Sequence, residues 1–424
     1  MKKPILIACL AVVFLAGLTN LAAQERGSIS GVVRSTDGRA LESATVKISG
    51  GLLGAGREFT TGPDGRFVFP ALPPGKYTFL VTHAEMLDFT AEVIVSIDRQ
   101  TQVNVQTTPI GRLAEEVTVV AVSPIIDLKS TEIASNWVRE VFERLPLGRS
   151  FSSLLQLAPG VAENRDFAPN AGGNKQDNVY LYDGSNITNP LFGYLSSDFS
   201  DLDIQEVNIK RGGISAEFGR AAGMVANAIT KAGSNTLSGT ARIVLAPAIF
   251  TFEFRDPNIK TKYNSYLPAV SLGGPVIKDR LWWYISGYLP RTKTTGRTNN
   301  LINEKKSDPV YGTTLPNTTS TTNEIFGKVS AAPFPAHLAT LSLRYRDVTS
   351  KKAGVGVNDY PTTATDSEGS HIILYGSWVW TISQSTLLEV RFDHVKENNK
   401  SVPITGLGYQ PAFDINNLAK MGYF

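Results

Sequence analysis

Cysteine is almost missing from this 424-residue sequence: Cys9 is the only one. That excludes both a disulfide scaffold and a thiolate zinc site. Histidine is nearly as scarce. His83, His337, His371 and His394 are scattered and suggest neither a metal cluster nor an acid–base pair. Charge of one sign is lacking too. The 41 basic and 38 acidic side chains leave a net +3, which gives no reason to propose a nucleic-acid partner. Beyond residue 18 no apolar run approaches the roughly 20 residues that a membrane-crossing helix needs. Any passage through a bilayer must therefore use a β-barrel. With 42% hydrophobic and 19% charged residues, the chain is neither disordered nor a bundle of membrane helices.

The N-terminus reads as an address. Lys2 and Lys3 precede a nearly unbroken apolar run over 5–18, and Ala22-Ala23 follows. This is the layout of a secretory signal peptide over residues 1–23. Cys9 sits too early, inside the apolar run, for a lipoprotein. The exported chain is then expected to contain no cysteine.

Residues 27–110 alternate apolar and polar side chains in short runs at 28–34, 44–48, 66–69, 76–82, 91–97 and 102–107. Asp37-Gly38, Pro63-Asp64-Gly65 and Pro73-Pro74-Gly75 provide turns between them. Such spacing predicts a small β-sandwich. The phrases Gly31-Val32-Val33, Asp37-Gly38-Arg39-Ala40-Leu41, Thr61-Gly62-Pro63-Asp64-Gly65-Arg66-Phe67 and Leu72-Pro73-Pro74-Gly75-Lys76-Tyr77 resemble the carboxypeptidase regulatory-like domain. The resemblance implies a transthyretin-like, carbohydrate-binding-like fold and no peptidase activity. His83 and Glu85 stand alone and lack the further ligands of a zinc peptidase.

Residues 112–235 form a second unit. Over 112–240 there are 11 basic and 15 acidic residues, whereas 241–424 carries 20 and 14. Val138, Val141, Phe142 and Leu145 predict one short amphipathic helix. Phe151, Leu154, Leu155 and Ala158 predict another, with Ser150 as its N-cap. Strands are expected over 178–182, 204–210 and 224–231, with polar loops at 163–177 and 185–200. The run Leu145-Pro146-Leu147-Gly148-Arg149-Ser150-Phe151, the turn Tyr182-Asp183-Gly184 and the stretch Glu206-Val207-Asn208-Ile209-Lys210-Arg211-Gly212-Gly213 resemble the plug domain of TonB-dependent outer-membrane receptors. So does Ala216-Glu217-Phe218-Gly219-Arg220. The order sandwich, box, plug is similar to the Oar-like branch. The resemblance places a TonB box at Glu116, Val117, Thr118, Val119, Val120 and Ala121, and a plug motif at Arg211, Gly212, Gly213, Glu217, Phe218, Gly219 and Arg220. Asn164, Asn170, Asn174, Asn186 and Asn189 are the candidates for loop residues near a ligand. Asp198, Asp201 and Asp203 cluster on a polar stretch and read as solvated, or as calcium-seeking at most.

Residues 236–424 show longer alternation. Ala339, Leu341, Leu343 and Tyr345 interleave with Thr340, Ser342, Arg344 and Arg346, and Leu388, Val390 and Phe392 with Glu389, Arg391 and Asp393. A fully apolar face opposite a charged one fits an outer-membrane wall with its polar face toward the lumen. Trp282, Trp283, Tyr284, Tyr288, Trp378 and Trp380 are expected in the interfacial girdle. The run 271–284 resembles the first barrel hairpin of Oar-like receptors, which implies Lys278-Asp279 as a short periplasmic turn, and the polar, Thr- and Asn-rich stretch 291–323 is expected as an extracellular loop. About seven to nine strands are countable, against about 22 in the transporter that the resemblance implies. The sequence is therefore expected to be a fragment.

The fold expected is thus mainly β: a transthyretin-like sandwich, an α+β plug and the first strands of an incomplete barrel. The function expected is active uptake of a scarce or bulky nutrient across the outer membrane, gated through the TonB box, without catalysis, metal or cofactor. The expected partners are the TonB C-terminal domain, outer-membrane lipid and a nutrient, with the sandwich on the periplasmic side. A non-transporting structural or adhesive protein on the same frame is the alternative. A secreted carbohydrate-active enzyme fits less well, for want of paired acids on a catalytic frame.

Overall fold

The computed structural model describes residues 26–54, 56–110, 133–163, 169–171, 175–191, 193–250, 261–297, 314–355, 363–383, 386–404, 413–414 and 419–420. The expected signal peptide (1–23), the box (116–121), Asn164 and Asn174 lie outside these residues.

The first module packs two four-stranded sheets. One joins β1 (Gly27–Ser35) to β4 (Arg66–Leu72), β7 (Gln100–Gln102) and β8 (Val105–Thr107). The other runs β3-β2-β5-β6, from β2 (Thr45–Ser49), β3 (Arg57–Thr60), β5 (Gly75–Thr82) and β6 (Phe89–Val95). The alternating positions Ile29 and Val33, Val46 and Ile48, Phe67 and Phe69, and Tyr77, Phe79 and Val81 meet in one core. Gly31 is required here: a Cβ at this position would lie 1.7 Å from the Val103 carbonyl oxygen, where the chain crosses β1 between β7 and β8. Strand β3 has no counterpart in the sequence reading, because Arg57-Glu58-Phe59-Thr60 is a short, largely polar run.

The second module is a five-stranded sheet, β13-β12-β15-β14-β9. Its strands are β9 (Ile133–Val138), β12 (Val179–Tyr182), β13 (Ser185–Asn186), β14 (Ile204–Gly212) and β15 (Val225–Thr230). A two-residue pair, β10 (Ala162–Glu163) with β11 (Pro169–Asn170), lies apart from it. The first predicted helix shrinks to Arg139–Phe142, because the residues before it, Val138 included, are taken by β9 against β14. The second helix forms at Phe151–Leu155 and buries Phe151, Leu154 and Leu155. Its cap differs from expectation. The Ser150 side chain does not cap it; the Asp198 carboxylate accepts the Ser152 N–H at 3.1 Å and the Ser152 hydroxyl at 2.6 Å.

The third module is one antiparallel sheet from β16 (Ser238–Ala246) through β17 (Lys262–Ile277), β18 (Leu281–Tyr288), β19 (Arg291–Thr295), β20 (Thr318–Ala331), β21 (His337–Ala353) and β22 (Thr365–Thr381) to β23 (Leu387–Pro403). Strands β18 and β19 both pair with β17 and β20, so they form one span broken at Pro290, which lacks the N–H needed by the ladder. Three connections, 278–280, 332–336 and 382–386, are short and share one rim. The longer ones, 247–261, 296–317 and 354–364, share the other. The loop expected over 291–323 is thus shorter than its polar composition implied, since Thr-rich ends are good strand residues and join β19 and β20.

Leu341, Leu343, Ile325, Val329, Val390 and Phe392 all face outward and are exposed, whereas Ser342, Arg344, Glu324 and Lys328 face inward and are buried against the second module. Trp378 and Trp380 lie outward and stack with His337 near the short-turn rim, ring centroids 5.7 and 5.4 Å away. Trp282 and Tyr284 correct the girdle expectation: the pleat of β18 turns both inward. The Trp282 indole N–H donates to Asn235 at 2.7 Å, and the Tyr284 hydroxyl sits 3.3 Å from both the Leu202 carbonyl oxygen and the Asp203 carboxylate.

Candidate functional site

The densest buried polar geometry lies where the second module meets the inward face of the third module's sheet, called the wall below. It starts at the turn after β12. Asp183 (φ 46°) and Gly184 (φ 76°) take the two left-handed positions of a tight hairpin, which an Asp-Gly pair tolerates. The turn aims the Asp183 carboxylate back at β15, where it accepts the Thr230 N–H at 2.8 Å and the Thr230 hydroxyl at 2.5 Å. Lys328 of β20 reaches the same carboxylate at 3.0 Å. Both side chains are buried, so this is a desolvated charge pair, held by two further hydrogen bonds to the carboxylate.

A second centre forms around the single turn 201–203. The Ser200 hydroxyl caps it by accepting the Leu202 N–H at 3.2 Å. Asp201 is gripped by both terminal nitrogens of Arg242 on β16 and lies 3.5 Å from Arg149. Asp203 pairs with Arg344 of β21 at 2.9 Å. Arg344 also binds Glu324 of β20 through its other terminal nitrogen, and its Nε donates to the Tyr182 hydroxyl at 3.1 Å. Its guanidinium lies 4.6–5.2 Å from the ring centroids of Phe326, Phe199 and Tyr182. One fully buried fork thus ties three acceptors on three elements and lies among three aromatic rings. Phe151 stacks on Phe199 at 4.9 Å, which links the capped helix to this centre.

Three wall cations, Arg242, Lys328 and Arg344, therefore meet three acids of the second module, Asp201, Asp183 and Asp203. The solvated reading of the aspartate cluster is corrected: Asp201 and Asp203 are each about 1% exposed and paired, and Asp198 is a helix cap. The available signal was the charge asymmetry between 112–240 and 241–424. Arg139 completes the surroundings, donating to the Leu202 and Ile204 carbonyls at 2.7 and 3.2 Å. Burial and the neighbouring Arg139 pull the Lys231 ammonium down to about 8. Burial pushes the Tyr182 hydroxyl up, out of the range in which it ionises. Among the described residues no group of His, Cys, Asp and Glu is arranged to hold a metal.

A family profile described as carboxypeptidase regulatory-like domain matches residues 28–108. The TonB-dependent transporter Oar of Myxococcus xanthus is 32% identical over 249 residues, which covers 54% of this chain and 23% of that protein. Over those 249 residues the chain is similar to a TonB-dependent transporter. It spans about a quarter of the length of that curated relative. The outer membrane transporter YddB of Escherichia coli shares the fold, with a TM-score of 0.50 at 16% identity over 63% of this chain and 39% of that one. A ferric enterobactin receptor of Pseudomonas aeruginosa aligns with a TM-score of 0.48 at 14% identity, over 67% and 44%.

The second module is the one the sequence resemblance reads as a plug, and the third the one it reads as barrel wall. The motif residues of the plug sit at the end of β14 and beyond. Arg211 lies over Gly160, whose added Cβ would meet its Nη1 at 2.6 Å. Gly212 closes the β14–β9 register opposite Ile133, and Gly213 takes φ 64°. Phe218 is buried with Val179, Leu181 and Val225, and the Lys210 ammonium lies 5.1 Å from its ring centroid. Glu217, Gly219 and Arg220 are exposed, and Arg220 adopts φ 59° beside Gln176 and Asp177. Of the ligand-loop candidates, Asn170 pairs with Ala162 in the β10–β11 ladder. Asn186 is exposed, and its side chain accepts the Thr188 N–H. Asn189 is engaged by the wall, donating to Glu397 at 3.4 Å.

Proposed function

We propose that this receptor imports a scarce or bulky nutrient across the outer membrane by reversible displacement of its plug. The observation that carries the reading is the seating of the plug on paired buried charges, above all the bridge from Arg344 to Asp203 and Glu324. A permanently fixed core is better built from apolar contacts, since replacing buried ion pairs with apolar groups is often neutral or stabilising. A charge-paired seat has two acceptable states: paired when dry, solvated when open. Lumen-facing Arg, Lys and Glu retain water as a partner once the plug moves.

The outer membrane has no nucleotide supply, so the energy for displacement arrives through protein contact. The segment Glu116, Val117, Thr118, Val119, Val120 and Ala121 precedes β9, the edge strand of the plug sheet. An extended run of this composition suits strand addition to the TonB C-terminal domain, and a pull on it is delivered directly to β9. The outward apolar face of β16–β23, with Trp378 and Trp380 near one rim, supports placement in lipid. The short-turn rim with the sandwich then faces the periplasm, and the loops outside bind the nutrient. Siderophore, oligosaccharide and peptide classes fit this frame equally.

The test is capture of the TonB C-terminal domain by the detergent-extracted receptor. Binding to the intact chain and loss of binding on deletion of 116–121 are expected. Equal capture by both, or by neither, contradicts the gating mechanism and favours a structural or adhesive role.

A further inference from the structure

The sandwich does not hang free of the other modules, and its contacts have a chemistry of their own. The turn between β6 and β7 docks on β14 of the plug. The Ile97 N–H donates to both carboxylate oxygens of Glu206 at 3.3 and 3.4 Å, and the Ile97 carbonyl accepts from the Asn136 side chain at 3.0 Å. Asp98 pairs with Lys210 at 3.1 Å. Glu206, Asn208 and Lys210 alternate along one face of β14, while Val207 and Ile209 on its other face belong to the plug core. Asn136 of β9 ties this stripe together, donating to Glu206 at 3.1 Å and accepting from Asn208 at 2.5 Å. The stripe is polar throughout and yet buried.

A second contact reaches the wall at the short-turn rim. Leu52 packs on Trp282, Ala332 and Leu338. Gly54 lies so close that an added Cβ would come within 2.6 Å of the Asp279 carbonyl oxygen. Arg57 donates to the Thr381 hydroxyl at 3.2 Å. A cavity of about 300 Å³ is lined by residues of all three modules, among them Arg26, Leu52, Asp183, Thr230, Lys328 and Leu338. The two contacts are distinct feet, one on the plug and one on the wall.

We propose that the sandwich is a detachable clasp, which bridges plug and wall at the short-turn rim and holds the edge of the plug sheet until the plug is drawn. The chemistry of this contact suits reversibility. A permanent interface favours an apolar face, whereas a surface exposed in one state and covered in the other favours groups that exchange water for partners. The face of β14 turned to the sandwich is of the second kind. The clasp acts on β9 and β14, the two plug strands nearest the point where the box joins. This inference builds on the displaceable plug proposed above, but its test needs neither TonB nor nutrient.

The experiment is amide exchange on the full receptor in detergent micelles, comparing wild type, Asp98→Lys, Lys210→Asp and the double exchange. Two segments are followed, 94–100 of the sandwich and 133–138 of the plug edge, with 225–230 as the fold control. Each single reversal is expected to accelerate exchange at least tenfold in both segments, and the double exchange to restore both. If 94–100 stays as slow in the single reversals as in wild type, the docking is refuted. If 94–100 is released while 133–138 is unmoved, the sandwich is a passive neighbour and the clasp is refuted. TonB capture that fails while this pattern holds overturns the gating mechanism and leaves the clasp standing.

Discussion

Arg344 offers the sharpest quantitative test of how the plug is seated. Its Nη1, Nη2 and Nε serve Glu324, Asp203 and Tyr182 respectively, and all are buried. Arg344→Met keeps the volume and removes the charge, leaving two desolvated carboxylates without their shared cation. Breaking one buried pair costs about 3–5 kcal/mol. Taking about 4 kcal/mol for the seat as a whole, and 1.4 kcal/mol per factor of ten, plug opening becomes roughly a thousandfold more frequent. Amide exchange of residues 207–209 in the core of β14 measures this directly. Arg344→Lys is expected to fall between, because one ammonium cannot serve three acceptors in the planar geometry of the fork. The triple change Arg344→Met, Asp203→Asn and Glu324→Gln removes the unpaired charges and is expected to recover most of the loss. An acceleration below tenfold in Arg344→Met, or no recovery in the triple variant, refutes the reasoning.

Further outcomes follow from other sites. Burial pushes the Glu206 carboxyl up to about 8, against the help it gets from the Ile97 N–H, Ser96, Asn136 and the Arg99 charge; Asp98 and Lys210 are the other charges at this contact. The docked state thus binds more protons than the undocked one, so docking gains nothing further below about 4.5 and weakens as pH rises through 8. Corrected for the intrinsic base catalysis of exchange, protection at 94–100 should fall as pH rises from about 4.5 to about 8 in wild type, and Glu206→Gln should abolish that fall. Gly31→Ala drives a Cβ into the Val103 carbonyl and is expected to cost the sandwich about 3 kcal/mol, seen as a lower midpoint in thermal unfolding of the receptor's first transition. Leu343→Arg places a charge on the outward face of β21 and should cost about 2–4 kcal/mol if that face meets the lipid midplane, read as loss of folded protein from the outer membrane.

Much of this architecture is legible in the sequence because strand alternation has period two. The split of Leu341, Leu343 and Tyr345 from Ser342, Arg344 and Arg346 needs only that rule. The rule does not say what the inward residues meet. Hence alternation marks Arg344 as facing inward, while Asp203, 141 positions earlier, reads from sequence as a solvated loop acid. Net charge per segment carries the missing information: an acidic second module against a basic third one. A related gap concerns Trp282 and Tyr284. Aromatic composition suggests a girdle, but their strand parity faces the plug, where both find polar partners. The helix over 138–145 shrank because β14 offered Val138 and the residues before it a ladder, and tertiary pairing overrides short helical spacing. The polar stripe of β14 was visible as Glu206, Asn208 and Lys210, but its cover, the turn at Ile97 and Asp98, lies more than a hundred residues away in another module.

The claim on which the whole reading turns is that a pull on residues 116–121 extracts the plug before it disrupts the wall. Force spectroscopy on the receptor in a bilayer, with a handle fixed at Val119→Cys, measures this directly. The account predicts that residues 133–231 unravel first, giving about 35 nm of extension from about 100 residues at roughly 3.5 Å each, while the β16–β23 sheet stays embedded. Extraction of wall strands before that extension, or rupture without it, would contradict the account.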